Sequence, residues 1–458
     1  MSVPPSSDAL VLFGASGDLA YRKIFPALQA LVRSGSLDMP VIGIARSGWT
    51  LEQLRERVRS SLLEHGTGGD AAAGRLLSLL RYVDGDYREA ATHQRLRAAL
   101  GETRHPLHYL AVPPSLFATV VDGIGESGSA DGARVVVEKP FGRDLASAQA
   151  LNQALHRTFA ETSVFRIDHY LGKEAVQNLL YFRFANAFLE PVWNRNYVDS
   201  IQITMAEEIG VQGRGRFYEE VGALRDVVQN HMLQVLAHLA MEPPVGMDAE
   251  TLRDEKVKVF RGIRPLASAD LVRGQYVGYR AEDGTGADSQ VETFAAMRLH
   301  IDSWRWAGVP IFIRAGKRLA MTATEVLVRL KRPPQQVFGE AAAANYFRFR
   351  LGPDRVAIAV GASTKRAGTT MAGEPVELQV CNDGGSQMSA YERLIGDALR
   401  GDPTLFARED SVEAAWRIID PVLNRPLAVH SYRPGSWGPA EADAMVAACG
   451  GWHLPGQC

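Results

Sequence analysis

Apolar positions follow two rhythms along this chain, and the change between them divides it. In the first third, short Val- and Leu-rich runs at residues 10–13, 41–45, 107–112, 134–137 and 164–167 alternate with helical-period stretches at about 18–32, 51–63, 116–124 and 145–159. Unbroken apolar runs of this length predict strands covered on both faces, and strand–helix alternation predicts a doubly wound parallel sheet.

After about residue 175 the period shortens to two. Ile201, Ile203 and Met205 alternate with polar neighbours, as do Val309, Ile311 and Ile313, and strands are also expected at 325–330, 346–350 and 356–360. Gly352-Pro353-Asp354 between the last two signals a hairpin. Helices at about 390–399 and 412–418 are expected to cover one face of this second sheet. The chain therefore reads as α/β followed by α+β, with a Rossmann-like domain over 1–170 and a large, mainly antiparallel sheet with covering helices over 171–458.

Composition narrows the classes. At 458 residues the chain exceeds one ordinary core, and 46% hydrophobic content suits a globular protein. A formal net charge of −2 argues against a nucleic-acid or anionic-membrane partner. Cys381, Cys449 and Cys458 show no CxxC spacing, so neither a zinc site nor a disulfide framework is expected, and the thiols read as reduced. Met1-Ser2-Val3-Pro4-Pro5 lacks the features of a signal peptide, and no apolar stretch is long enough to span a bilayer. A soluble, cytoplasmic protein is the expectation.

Candidate chemistry begins at the first strand. Gly14-Ala15-Ser16-Gly17-Asp18-Leu19-Ala20 joins it to the first helix, where glycines let backbone approach a pyrophosphate that the helix N-terminus favours. The pattern is GxxGxxA, and such a turn alone is often only structural; its place in the domain favours cofactor binding. After the second strand stands Arg46 with no acid close in sequence, which points to a 2′-phosphate and hence NADP. Val137-Glu138-Lys139-Pro140 ends a later strand, so Lys139 is expected within reach of nicotinamide or substrate, and the following proline is a candidate cis peptide.

A second group of polar residues follows the strand at 164–167. Just after Asp168, the residues His169, Tyr170 and Lys173 surround the start of a helix expected from Glu174, a natural phosphate site; His169 and Lys173 share a face if the first turn reaches back. Glu207 continues the face of Ile201, Ile203 and Met205, where a carboxylate is costly unless it binds something polar. Arg225-Asp226-Val227-Val228-Gln229-Asn230-His231 opens an amphipathic helix. Five α-helical residues put Asp226 and His231 about 140° apart, so a carboxylate orienting His231 is expected elsewhere, with Asp168 the candidate. Lys317 and Arg318 follow the apolar run 311–313 and a glycine.

In order and spacing, GASGDLA (14–20), EKPFG (138–142), RIDHYLGKE (166–174), RDVVQNH (225–231) and AGK (315–317) resemble the glucose-6-phosphate dehydrogenase family over nearly the whole chain. The resemblance implies oxidation of C1 of β-D-glucose 6-phosphate to 6-phosphoglucono-δ-lactone with NADP, the entry step of the oxidative pentose phosphate pathway. It implies His231 as general base and Asp168 as its orienting carboxylate. His169, Tyr170 and Lys173 would hold the phosphate, and Glu207, Asp226, Lys139 and Lys317 the sugar. Gly14, Ala15, Ser16, Gly17, Asp18, Leu19, Arg46 and Lys139 would line the NADP site, with Asp84 and Gly85 a further loop contact. No metal is implied, and the family's homodimers and homotetramers associate through the second domain's sheet. The chain departs from the family at Thr322, where a second basic residue is usual, and at Tyr21, where a basic residue is common. Thr322 leaves open another hexose phosphate or a free hexose as substrate. A catalytically silent NADP- or sugar-phosphate-binding regulator is the non-enzymatic alternative.

Overall fold

The computed structural model describes residues 5–246, 248–335, 337–338, 343–353, 356–368, 370–382 and 388–456. Met1 to Pro4, Asp354 and Cys458, each used above, lie outside them. Two compact units result: Met1–Lys173 with Pro244–Asp254 and Met388–Glu413, and Glu174–Pro243 with Glu255–Gln387 and Ala414–Cys458.

Among the described residues the first unit is built on six parallel strands: β1 (Ala9–Phe13), β2 (Val41–Ala45), β3 (Leu80–Asp84), β4 (Pro106–Leu110), β5 (Arg134–Glu138) and β6 (Val164–Ile167), in the order β3-β2-β1-β4-β5-β6. All five residues of β1 are buried, as their unbroken apolar run requires of a central strand. The chain reverses its direction of travel through the sheet between β1 and β4, which opens a crevice at their carboxyl ends. The helix after β1 opens with a π-helical segment, Ala20–Ile24, before the α-helix Phe25–Arg33.

One expectation is corrected here. The helix Ala390–Arg400 does not cover the second sheet; its buried stripe of Leu394, Ile395, Ala398 and Leu399 joins the first unit's core with Leu28, Leu31 and Phe25. An amphipathic stripe specifies that a helix must be covered, not by which sheet.

The second unit holds nine strands among the described residues: β7 (Val198–Ala206), β8 (Leu271–Tyr276), β9 (Phe294–Leu299), β10 (Ile311–Gly316), β11 (Ala323–Leu330), β12 (Tyr346–Gly352), β13 (Val356–Lys365), β14 (Gly373–Asn382) and β15 (Val429–Tyr432). Their order is β14-β13-β12-β11-β7-β10-β9-β8-β15; β7–β10 and β8–β15 pair in parallel and the other neighbours antiparallel. β7 alternates in sequence yet is covered on both faces, and two of its polar side chains, Gln202 and Thr204, are satisfied internally. The Gln202 amide N–H donates to the Gly451 carbonyl at 3.0 Å, and Thr204 Oγ1 accepts from Arg314 Nε at 3.0 Å. Among the described residues no helix is long and apolar enough to cross a membrane.

Candidate active site

Parallel strands end together, so the carboxyl edge of the first sheet gathers residues that lie far apart in sequence. Along that edge Asp84 ends β3, Arg46 follows β2, Gly14 follows β1, Lys139 follows β5 and Asp168 follows β6. Gly14 adopts φ +82°, and a Cβ there would collide with the Ala111 carbonyl, so glycine is required twice over. Its N–H faces the Ile44 carbonyl at 2.9 Å and the Tyr87 hydroxyl at 3.0 Å. Ala15 N–H also reaches Ile44 O at 3.3 Å, Gly17 N–H closes onto Gly14 O at 2.9 Å, and Ser47 Oγ donates to Ser16 Oγ at 2.7 Å. Asp18 is exposed and faces Arg57, while Leu19 packs partly buried against the core beneath.

The expectation that Arg46 has no acid nearby holds along the chain and fails in space. Its Nη1 lies 2.9 Å from Asp86 Oδ2 with the Arg side chain 71% exposed, an ion pair too solvated to hold the guanidinium against a stronger anion. Asp84 is engaged differently. Its Oδ1 accepts the N–H groups of Ser47 (3.1 Å) and Gly48 (2.8 Å). Burial would raise this carboxyl, but the Tyr82 hydroxyl and the amides of Ser47, Gly48 and Trp49 hold it below its ordinary value. Gly85 N–H donates to Ala45 O at 3.0 Å, tying the same loop to β2.

Half-buried Lys139 follows the buried Glu138, and the Lys139–Pro140 bond is cis. Burial raises the Glu138 carboxyl to about 7, against hydrogen bonds from Tyr109, at 2.6 Å, and Tyr391. Tyr391 in turn stacks on His169, with ring centroids 6.4 Å apart and planes at 10°. Neither tyrosine stood out in the sequence, because each belongs to a buried apolar stripe that conceals its hydroxyl.

Asp168 is 1% exposed, and its Oδ1 accepts the Tyr170 N–H at 2.9 Å. Turns close from Leu171 N–H to Asp168 O and from Lys173 N–H to Tyr170 O, and the following helix starts only at Glu174. His169 and Lys173 therefore do not share a helix face. The Tyr170 ring joins them instead, meeting His169 edge-on at 5.3 Å and lying 3.6 Å beneath the Lys173 ammonium.

In the second unit, β7 and β10 run parallel with Ala206 opposite Gly316, so the residue after each emerges side by side. The strand ends before Glu207, yet Glu207 is no idle surface acid: Lys317 Nζ, 4% exposed as a residue, reaches its Oε2 at 2.6 Å. That ammonium also lies 5.3 Å from the Tyr218 ring centroid. Burial, then the charges of Asp226, Glu292 and Glu207 among others, hold the Tyr218 phenol well above its ordinary value. Asp226 and Glu207 thus belong to one electrostatic neighbourhood, with Tyr218 a member the sequence did not signal.

The run bearing Asp226 and His231 brings a correction. Residues Leu224–Met232 are π-helical and continue as the α-helix Leu233–Ala240. A π turn closes between i and i+5, so the α-helical angle does not apply and Asp226 and His231 stand one turn apart along one side. The Asn230 amide donates to the Arg225 carbonyl at 3.0 Å, and His231 is 1% exposed. Thr322 braces Glu208, donating from its N–H and its hydroxyl to Oε2 at 3.2 Å each. Arg318, in a left-handed conformation, faces Glu282 at 3.7 Å.

One further cluster, in the first unit, brings ligand atoms of His156, Glu161 and Glu409 within 4.8 Å of one another. Buried Arg166 already occupies Glu161 at 2.7 Å, which makes this an ion-pair network.

Two family models divide the chain: the glucose-6-phosphate dehydrogenase NAD binding domain matches residues 11–178 and the glucose-6-phosphate dehydrogenase C-terminal domain matches 180–453. A glucose-6-phosphate 1-dehydrogenase 1 of Mycobacterium tuberculosis is 44% identical over 98% of this chain and 97% of its own length, and a glucose-6-phosphate 1-dehydrogenase of Bacillus subtilis is 38% identical over 95% and 96%. Among solved structures, a glucose-6-phosphate 1-dehydrogenase from Mycobacterium avium superposes with TM-score 0.93 at 44% identity, covering 99% of this chain and all of that one. A glucose-6-phosphate dehydrogenase in complex with glucose-6-phosphate gives TM-score 0.91 at 36% identity over the full length of both chains. With two matching domain models, full-length relatives and the same fold, the chain belongs to the glucose-6-phosphate dehydrogenase family.

Proposed function

We propose that this chain is a glucose-6-phosphate 1-dehydrogenase, oxidising C1 of β-D-glucose 6-phosphate to 6-phosphoglucono-δ-lactone with transfer of hydride to NADP. The observation that carries the reading is full-length likeness to such enzymes, 44% identity over 98% of the chain, with the motif residues intact. A nicotinamide dinucleotide supplies the hydride acceptor. The Gly14–Leu19 turn suits its pyrophosphate, and exposed Arg46 can leave Asp86 for a 2′-phosphate, which favours NADP.

The protein's part is to bind, orient and move one proton. His169 and Lys173, linked through Tyr170, offer an imidazole, an ammonium and a hydroxyl to the phosphate. Lys317, Glu207 and Asp226 supply charged donors and acceptors suited to sugar hydroxyls. Lys139 follows β5, next but one to β1 in the sheet, on the same carboxyl edge as the Gly14 turn. His231 takes the C1 hydroxyl proton as hydride leaves, and by the family motif rather than by helix geometry Asp168 is the carboxylate that steadies the imidazolium. Asp84 and Gly85 shape the loop beside Arg46.

A homo-oligomer, dimer or tetramer, is part of this reading. β14 is an edge strand whose Leu378 and Val380 are 68% and 76% exposed, an apolar edge that a second copy would cover. A second reading, another hexose phosphate or free hexose, rests on Thr322, a neutral side chain where the family resemblance implies a basic one.

NADPH and NADH formation measured with glucose 6-phosphate, other hexose phosphates and glucose decides among these. Turnover is expected with glucose 6-phosphate and NADP, and Arg46→Ala should raise KM for NADP alone, by about 1.5–3 kcal/mol of lost charge-assisted hydrogen bonding. Absence of turnover on every sugar would remove the enzymatic reading, and equal losses with NAD and NADP would remove the role of Arg46.

A further inference from the structure

Two residues immediately before β9 clasp both substrate-side elements of the second unit. The carbonyl of Glu292 accepts the Ala223 N–H at 2.9 Å, and its Oε1 accepts the Leu224 N–H at 3.2 Å. These amides open the π-helical run that carries Asp226 and His231. One residue on, the Thr293 carbonyl accepts the Lys317 N–H at 3.0 Å. The Tyr432 hydroxyl, 2.9 Å from Thr293 Oγ1, donates to the Lys317 carbonyl at 2.6 Å. The dipeptide thus sets the helix start and the end of β10 in one frame.

The clasp is buried and specific. Glu292 Oε2 accepts Arg273 Nε at 3.2 Å and Nη2 at 2.8 Å, with the carboxylate side chain 5% exposed. Arg273 is itself held by the carbonyls of Leu427 and Gln290. Gly222 breaks the preceding helix with φ +58°, and a Cβ there would collide with the Glu292 carboxylate. The glycine makes room for the cap. A helix start leaves N–H groups without intrahelical partners, and one shielded from water needs an internal acceptor. A carboxylate in that place also complements the helix dipole. Asp226 lies in the first turn of the run, so its position depends on this cap.

We propose that Glu292 is a positioning residue for the substrate site, holding the Asp226–His231 helix in register with Lys317 through the Gly222 break. This rests on the proposed function, which assigns Asp226 and Lys317 to the sugar. The test compares steady-state kinetics and Tm of Glu292→Ala, Glu292→Gln and Arg273→Gln. Glu292→Ala removes the acceptor and should raise KM for glucose 6-phosphate about tenfold, leaving KM for NADP unchanged. Glu292→Gln keeps an oxygen for the Leu224 amide and should restore KM near the wild-type value despite a lower Tm. Arg273→Gln breaks the ion pair but not the cap and should lower Tm without moving KM. Should Glu292→Ala not fold, Glu292→Asp, whose shorter carboxylate withdraws from Leu224, carries the same expectation. An unchanged KM in the acceptor-removing variant, or an equal rise in Arg273→Gln, overturns the proposal while the wild type remains active. An inactive wild type overturns the reading of the function instead, and the proposal with it.

Discussion

His231 and Glu138 show how burial gives single side chains their roles. His231 is 1% exposed on a helix whose neighbours Gln229 and Asn230 are also buried, so its ring is fixed. If it is the base, His231→Asn should lower kcat by about 10²–10⁴-fold, the usual worth of a general base, and leave glucose 6-phosphate binding by calorimetry nearly intact. An unchanged kcat would move the base elsewhere. Glu138 makes a prediction about pH. Its carboxyl is raised from 4.5 to about 7 in the folded chain, so between those values the native state holds a proton the unfolded state has released. Stability is therefore lost as pH rises from about 4.5 to 7, by on the order of 3 kcal/mol from this group alone. Glu138→Gln should flatten that part of the profile in denaturant unfolding; an unaltered slope would mean that Glu138 titrates normally.

Elements place these residues, and here the local rules are least regular. Among the described residues both π-helical segments, Ala20–Ile24 and Leu224–Met232, fall at or just after motifs. A π segment shifts the register of every later side chain, which is why the five-residue spacing of Asp226 and His231 misleads when read as α-helix. The Gly14 turn is the opposite case, since its backbone demand is visible in the residue type. Gly14→Ala should lower Tm and raise KM for NADP, because it opposes a φ of +82° and collides with the Ala111 carbonyl; the backbone conflict costs more than about 1 kcal/mol. Thermal unfolding with and without NADP separates the two effects, and a variant matching the wild type in both would exclude the tight turn.

For the whole molecule, the apolar edge of β14 makes oligomeric state the sharpest test. On the proposed homo-oligomer, in which a second copy covers this edge, Val380→Glu should give a smaller species than the wild type in sedimentation, because it puts a charge where Val380, 76% exposed on the edge strand, would be covered. An unchanged sedimentation coefficient would place the interface elsewhere. By itself the sequence determined that the first unit is a parallel sheet, that the chain turns tightly at Gly14, and the motifs that mark the family. Those signals are local: unbroken apolar strands, glycines where the backbone must turn or be approached, and polar residues at fixed spacing. Strands β3, β8, β9, β14 and β15 were not legible, because short length, glycine, short apolar side chains and charges blur their pattern. The capture of Ala390–Arg400 by the first unit's core was not legible either, since a stripe does not name its partner. Only the tertiary structure brought Tyr391 onto His169, Tyr218 beneath Lys317 and Glu292 onto the Leu224 amide. Each contact joins residues distant in sequence, and side-chain hydrogen bonds and ring contacts depend on ångström-scale placement that only packing of the assembled sheets and helices supplies.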